Sequence, residues 1–214
     1  MRSCTKQFGF GLLSLLLSAD MLADELGKDA VFDAVAVYAA QGVNHNLREL
    51  PSRIVTGSVE WEQSYFAALA LSKSGKPLEQ SWEGFSGTPF ASLRQGYETV
   101  LVQHGGMQDN AELGMAYTLR TADLQLGQLG VNFSAGSGLS HAFGTPTYED
   151  GPKNDPGKRY RTQLLLLFEF EWRLADYRNL SFVTRAHHRS GVYGLIAPRN
   201  VGSNFLAMGL RYSF

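Results

Sequence analysis

Between Tyr160 and Phe214 the polarity of the chain alternates with a period of two, and this pattern limits the fold more than any other feature. Successive side chains on a strand point to opposite faces. The closing segment, Asn204 to Phe214, therefore places Leu206, Met208, Leu210, Tyr212 and Phe214 on one face and Ala207, Gly209, Arg211 and Ser213 on the other. From Asn179 to Gly191, Leu180, Phe182, Thr184, Ala186, His188 and Ser190 oppose Ser181, Val183, Arg185, His187 and Arg189. Before that, Leu164, Leu166, Phe168, Phe170 and Trp172 oppose Gln163, Leu165, Leu167, Glu169 and Glu171. One face is oily and aromatic; the other carries both signs of charge. A soluble sandwich would wet the charged face. A membrane barrel would turn the oily face to lipid and fill a narrow lumen with ion pairs. The pattern alone suits both.

The amino terminus bears on where the chain goes. Arg2 and Lys6 precede an apolar run from Phe8 to Leu17, followed by Ser18-Ala19-Asp20-Met21-Leu22-Ala23. A basic start, a short apolar core and small residues for cleavage make residues 1–23 a secretory signal peptide, too short to span a bilayer. The single cysteine, Cys4, lies before the core, so it cannot anchor a lipid, and the mature chain has no disulfide. No later stretch is long enough for a transmembrane helix. An exported chain without such helices can still span a membrane as a closed barrel. Basic and acidic residues nearly balance, 19 against 20, which argues against nucleic acid as a partner.

Residues 24–214 read as one all-β domain. Strands are expected at Val31–Gly42, Tyr97–His104, Ala111–Arg120 and Leu129–Ser140, before the three already described. Arg53–Lys73 reads as extended throughout, either one long strand or a hairpin broken near Glu62-Gln63-Ser64. Bacterial barrels have even strand numbers. The expectation is therefore an eight-stranded antiparallel outer-membrane barrel. Phe214 then lies in the periplasm, with loops 105–110, 141–159 and 191–203 outside and turns 74–94, 121–125 and 174–178 periplasmic. Such a barrel is too narrow for an open pore. Glu112, Arg120, Glu169, Glu171, Arg185 and Arg211 fall on inner faces as a paired structural network.

Within Arg185-Ala-His-His-Arg-Ser-Gly191, His188 and Ser190 share the oily face near its outer end. Lipid offers polar groups no partners. A hydroxyl beside an imidazole is the start of an activated nucleophile, with a third group expected to orient the ring. The plainer reading is that both side chains enter the headgroup zone. His187 pairs in the lumen, and His45, His104 and His141 are too scattered for a metal site.

The signal peptide, the small barrel, His188-x-Ser190 on the penultimate strand, an asparagine-bearing loop and the final Gly209-Leu-Arg-Tyr-Ser-Phe214 together resemble the PagL family of outer-membrane lipid A 3-O-deacylases. The specific match covers roughly Phe182 to Phe214. The resemblance implies an eight-stranded barrel, no cofactor, lipid A of the outer leaflet as substrate, His188 as general base and Ser190 as nucleophile. It places Asn200 and Gly191 at the substrate, with Asn200 in the oxyanion hole. The family's glutamate falls on Asn204. Asparagine can orient an imidazole but brings no charge to it. Glu149 and Asp150 on the neighbouring outer loop are the replacement acids within reach. Either a weaker triad operates, or the barrel is non-catalytic and serves adhesion, ligand binding or envelope integrity. A soluble lipocalin-like carrier is the third reading, and a homodimer is left open.

Overall fold

The computed structural model describes residues 31–149, 160–197 and 201–214. The signal-peptide expectation at 1–23, together with Asp150 and Asn200, lies outside them. The strands are β1 Ala34–Val43, β2 Trp61–Pro77, β3 Arg94–Gly106, β4 Ala111–Arg120, β5 Leu124–Leu126, β6 Leu129–Phe143, β7 Thr162–Leu174, β8 Leu180–Ser190 and β9 Gly202–Ser213. Two short helices, α1 Leu50–Thr56 and α2 Leu78–Ser81, sit in the connections.

All barrel pairings are antiparallel between sequence neighbours, and β1 pairs with β9 from Ala34↔Ser213 to Gly42↔Phe205. β4 pairs directly with β6, while the short β5 folds back on the start of β6 as a flap. Eight strands therefore close into a cylinder, as the alternation predicts, and closure leaves none of the eight with an unpaired edge. No helix among the described residues is long and apolar enough to cross a membrane, which says nothing of strands.

The faces follow the parity read from the sequence. Leu69, Leu101, Leu113, Met115, Leu139, Phe170, Phe182 and Met208 stand exposed on the outer wall. Glu98, Glu112, Glu169, Glu171, Arg185, Arg189 and Arg211 are buried inside it. An oily exterior around a charged interior is the surface chemistry of a barrel whose surroundings are lipid.

The lumen is filled by side chains. Toward the end where β1 starts and β9 stops (the termini end), Arg185 donates to Glu98 at 2.6 and 2.8 Å and to Glu169 at 2.9 Å, and Arg211 donates to Glu169 at 2.6 Å and Glu171 at 2.9 Å. The Tyr38 hydroxyl donates to Glu169 at 2.7 Å, and the Arg185 guanidinium lies 4.2 Å from the Tyr38 ring centre. Small residues make room for these long ones, with Ala36 opposite Ala70 and Tyr38 opposite Ala68. An apolar cluster runs among them, with Phe66, Val100, Val102, Leu165, Leu167, Val183 and Phe205 buried together. Against the Phe66 ring lie His104 and His187, which share Glu112 at 2.9 and 3.2 Å. Arg120 reaches Glu171 at 2.7 Å from a half-open position. A polar cavity of about 400 Å³ opens at the termini end, walled by Glu98, Arg120, Asp123, Asn132 and Arg173 among others.

Three expectations are corrected. Arg53–Lys73 is not extended throughout. Residues 50–56 form α1, with Pro51 in its first turn and Gly57 closing it at φ +67°, and β2 begins only at Trp61. Proline at a helix start and glycine just past its end are helix signals that override the weak alternation. The connection expected at 74–94 is not wholly loop, since β2 runs to Pro77 and α2 follows. Glu149 is not an acid available at the outer surface. It is fully buried in the lumen mouth, where Arg189 donates to it at 2.6 and 2.7 Å and Ser203 at 3.1 Å.

Candidate active site

The outer ends of β8 and β9 bring the candidate residues together. His188 lies directly opposite Leu166 on β7 and Asn204 on β9, and Ser190 lies opposite Leu164 and Gly202. All share the outward face, half-buried, at the end of the barrel where the longer connections 44–60 and 144–161 emerge.

The amide of Asn204 sets the state of the ring. Its Nδ2 donates to the backbone carbonyl of His45 at 2.8 Å. A carbonyl only accepts, so this bond fixes which end of the amide faces the ring. Oδ1 therefore meets His188 Nδ1, at 2.7 Å, and the neutral ring must carry its proton there. Nε2 is left with a lone pair, the form a general base requires. His45 is itself anchored, its Nε2 accepting from the Glu60 amide at 2.9 Å. The 44–60 connection thus reaches over the site from the first strand. Sequence reasoning missed this contribution because it is a backbone carbonyl, which carries no residue signature.

Ser190 is placed differently from the triad expectation. Its hydroxyl accepts from the Val192 amide at 3.1 Å, and among the described residues no hydrogen bond joins it to the His188 ring. Val192 and Tyr193 follow at φ +53° and +54°, the left-handed region that costs a β-branched residue most. The Gly191 carbonyl accepts from Gly194, Ile196 and Ala197 and holds this turn closed. Backbone strain of this kind persists only where surrounding structure imposes it. Arg48 ties the 44–60 connection to the turn by donating to the Tyr193 hydroxyl at 3.4 Å. Gly191 therefore adjoins Ser190 at the entry to the strained turn, and Asn200 falls outside the described residues. With Glu149 committed to Arg189, Asn204 is the group that orients His188.

No set of three or more His, Cys, Asp or Glu side chains is positioned for a metal ion among the described residues.

The fold and its outward polar cluster define a closed antiparallel eight-stranded barrel of the membrane type. Among solved structures, that of the outer membrane enzyme PagL is similar in fold, with a TM-score of 0.52 and 13% identity, over 84% of this chain and 99% of that one. Neisserial surface protein A aligns with a TM-score of 0.46 and 12% identity, over 85% of this chain and 96% of that one. No family model matches the chain. The curated proteins contain no match either.

Proposed function

We propose that this chain is an outer-membrane ester hydrolase that removes an acyl chain from lipid A in the outer leaflet. The observation that carries the reading is the His188 ring. It is held through Nδ1 by Asn204, which leaves Nε2 of the neutral ring as the basic nitrogen, two residues before a hydroxyl on the same lipid-facing wall. The PagL resemblance around His188 and Ser190, and the shared barrel, support it. The end bearing the 44–60 and 144–161 connections then faces outside the cell, and the termini end faces the periplasm.

In this reading the Ser190 side chain turns about χ1, between staggered wells, from the Val192 amide toward Nε2. Its Oγ attacks the ester carbonyl while its proton passes to Nε2. The tetrahedral oxyanion takes hydrogen bonds from Asn200 and the backbone beside Gly191. The imidazolium returns the proton to the departing sugar oxygen, leaving the acyl group on Ser190. Water, deprotonated by Nε2, then releases the fatty acid and restores the hydroxyl. Attack from the wall lets the substrate stay in its leaflet, and no cofactor is required. Asn204 keeps the ring aimed without neutralising its charge, so the reaction is expected to be slow for a serine hydrolase.

The test is mass spectrometry of lipid A incubated with the purified barrel in detergent micelles. Wild type should remove one acyl chain, while Ser190→Ala and His188→Ala should lose activity to a similar extent, because the pair acts as a unit. Lipid A left unchanged by wild type would end the reading. A second reading, a non-catalytic barrel of the outer membrane, is favoured by the Ser190–Val192 bond and by a neutral orienting group. It expects equal lipid masses for wild type and both variants.

A further inference from the structure

The connection between Pro77 and Arg94 is longer than a barrel needs at this end. The neighbouring connections there run only from Arg120 to the hairpin of β5 and β6, and from Leu174 to Leu180. The segment is not a plug for the lumen. Ser81 is joined to the Gln95 side-chain amide, and Gln95 stands on the outward face of β3. Tyr117, also outward, donates to the Gln95 side-chain oxygen Oε1 at 3.0 Å. The segment therefore leans over the outer wall, beside the Tyr97–Tyr117 ring pair, whose centroids are 5.6 Å apart.

Its own aromatic side chains find little protein to pack on. Trp82 is 62% exposed and Phe90 56%, while Leu78 is the one residue of α2 that is buried. Trp82 and Phe85 lean on each other, 5.9 Å between ring centres. Tyr97, at the adjoining rim of the wall, is 65% exposed. Tryptophan and tyrosine prefer the layer between hydrocarbon and water, where the ring is shielded and the polar atom stays wet. Charges beside the aromatics balance, with Lys76 and Arg94 against Glu79 and Glu83. Attraction to an anionic surface is therefore not the driving force.

We propose that residues 78–93 form an interfacial platform that binds the phospholipid surface at the termini end of the barrel. Trp82, Phe85 and Phe90 sit in the headgroup and glycerol layer, continuous with the Tyr97–Tyr117 patch on the wall. The partner is a bilayer leaflet of any net charge. The proposal rests on the barrel being embedded and is independent of any catalytic activity.

The test uses the three tryptophans, Trp61, Trp82 and Trp172. A W61F/W172F variant isolates Trp82, and a W61F/W82F variant isolates Trp172, which lies on the lipid-facing wall. Each barrel is folded into phosphatidylcholine vesicles. Emission is followed with lipids brominated at shallow and deep acyl positions and with aqueous acrylamide. Expected for Trp82 are a blue-shifted emission, quenching strongest by the shallow bromines, and no change between low and high salt. Trp172 should respond to bromolipid as the control for insertion. If Trp172 is quenched by bromolipid and Trp82 only by acrylamide, the barrel is embedded and the platform is wrong. Trp82 shielding that grows with protein density in the vesicle would assign the surface to a second copy and overturn the proposal equally.

Discussion

Asn204 carries two hydrogen bonds that its amide alone can make together, one to His188 and one to the His45 carbonyl. In the proposed hydrolase, Asn204→Ala frees the ring and is expected to lower kcat roughly 10- to 100-fold, within the contribution of a positioned base. Lipid A turnover would measure it. Asn204→Asp is not expected to improve on wild type, although it adds the missing charge. Its second oxygen would face the His45 carbonyl, acceptor against acceptor, and the 44–60 connection should loosen. Limited proteolysis should then cut this connection faster in Asn204→Asp than in wild type. Equal cutting rates would show that the His45 bond does not hold it. Parity along one strand made the shared face of His188 and Ser190 legible in the sequence. The His45 contact was not, because it joins residues 159 positions apart and depends on β1 lying beside β9. Nor did residue spacing reveal that the Ser190 hydroxyl bonds the Val192 amide, since that follows from two left-handed residues whose sequence carries no glycine.

At the scale of elements, β7 is the strand on which the lumen network turns, since Glu169 and Glu171 from its inner face meet arginines of β4, β8 and β9. Removing one partner leaves buried charge uncompensated, which costs about 3–5 kcal/mol. Glu169→Leu takes one carboxylate from both Arg185 and Arg211, which keep Glu98 and Glu171 as partners, and should lower stability to urea, by less than that full amount, in detergent-folded protein. The charge pattern of these strands could be read directly from the sequence, since a period of two needs no tertiary information. The region from Leu50 to Glu60 could not be read the same way. Its polar and apolar residues fit a strand as well as a short helix, and only Pro51 and Gly57 at its ends favour the helix. Glu149 was misplaced for a related reason. A polar residue in a polar loop reads as exposed, and nothing local shows that Arg189 draws it into the lumen.

For the whole molecule, buried ion pairs and the apolar cluster around Phe66, Leu165 and Phe205 fill the lumen among the described residues. Reconstituted in planar bilayers, the protein should show no stepwise conductance; regular current steps would contradict the packing. The seam is a second global constraint. A Cβ at Gly209 would lie 2.0 Å from the Val37 carbonyl oxygen and 3.0 Å from the Tyr38 ring. Gly209→Val should impair closure of β9 on β1. The expected outcome is loss of the compact, faster-migrating band in unheated gel electrophoresis. The closed cylinder also sets when the surface cluster exists at all. His45 follows the first strand and Asn204 opens the last, so the ring of His188 acquires its direction only when the two ends of the chain meet. A chain whose barrel has not yet closed carries the same histidine and serine without that alignment. In the proposed hydrolase, competence is thereby tied to completed closure: the reactive geometry is assembled together with the cylinder and not before it.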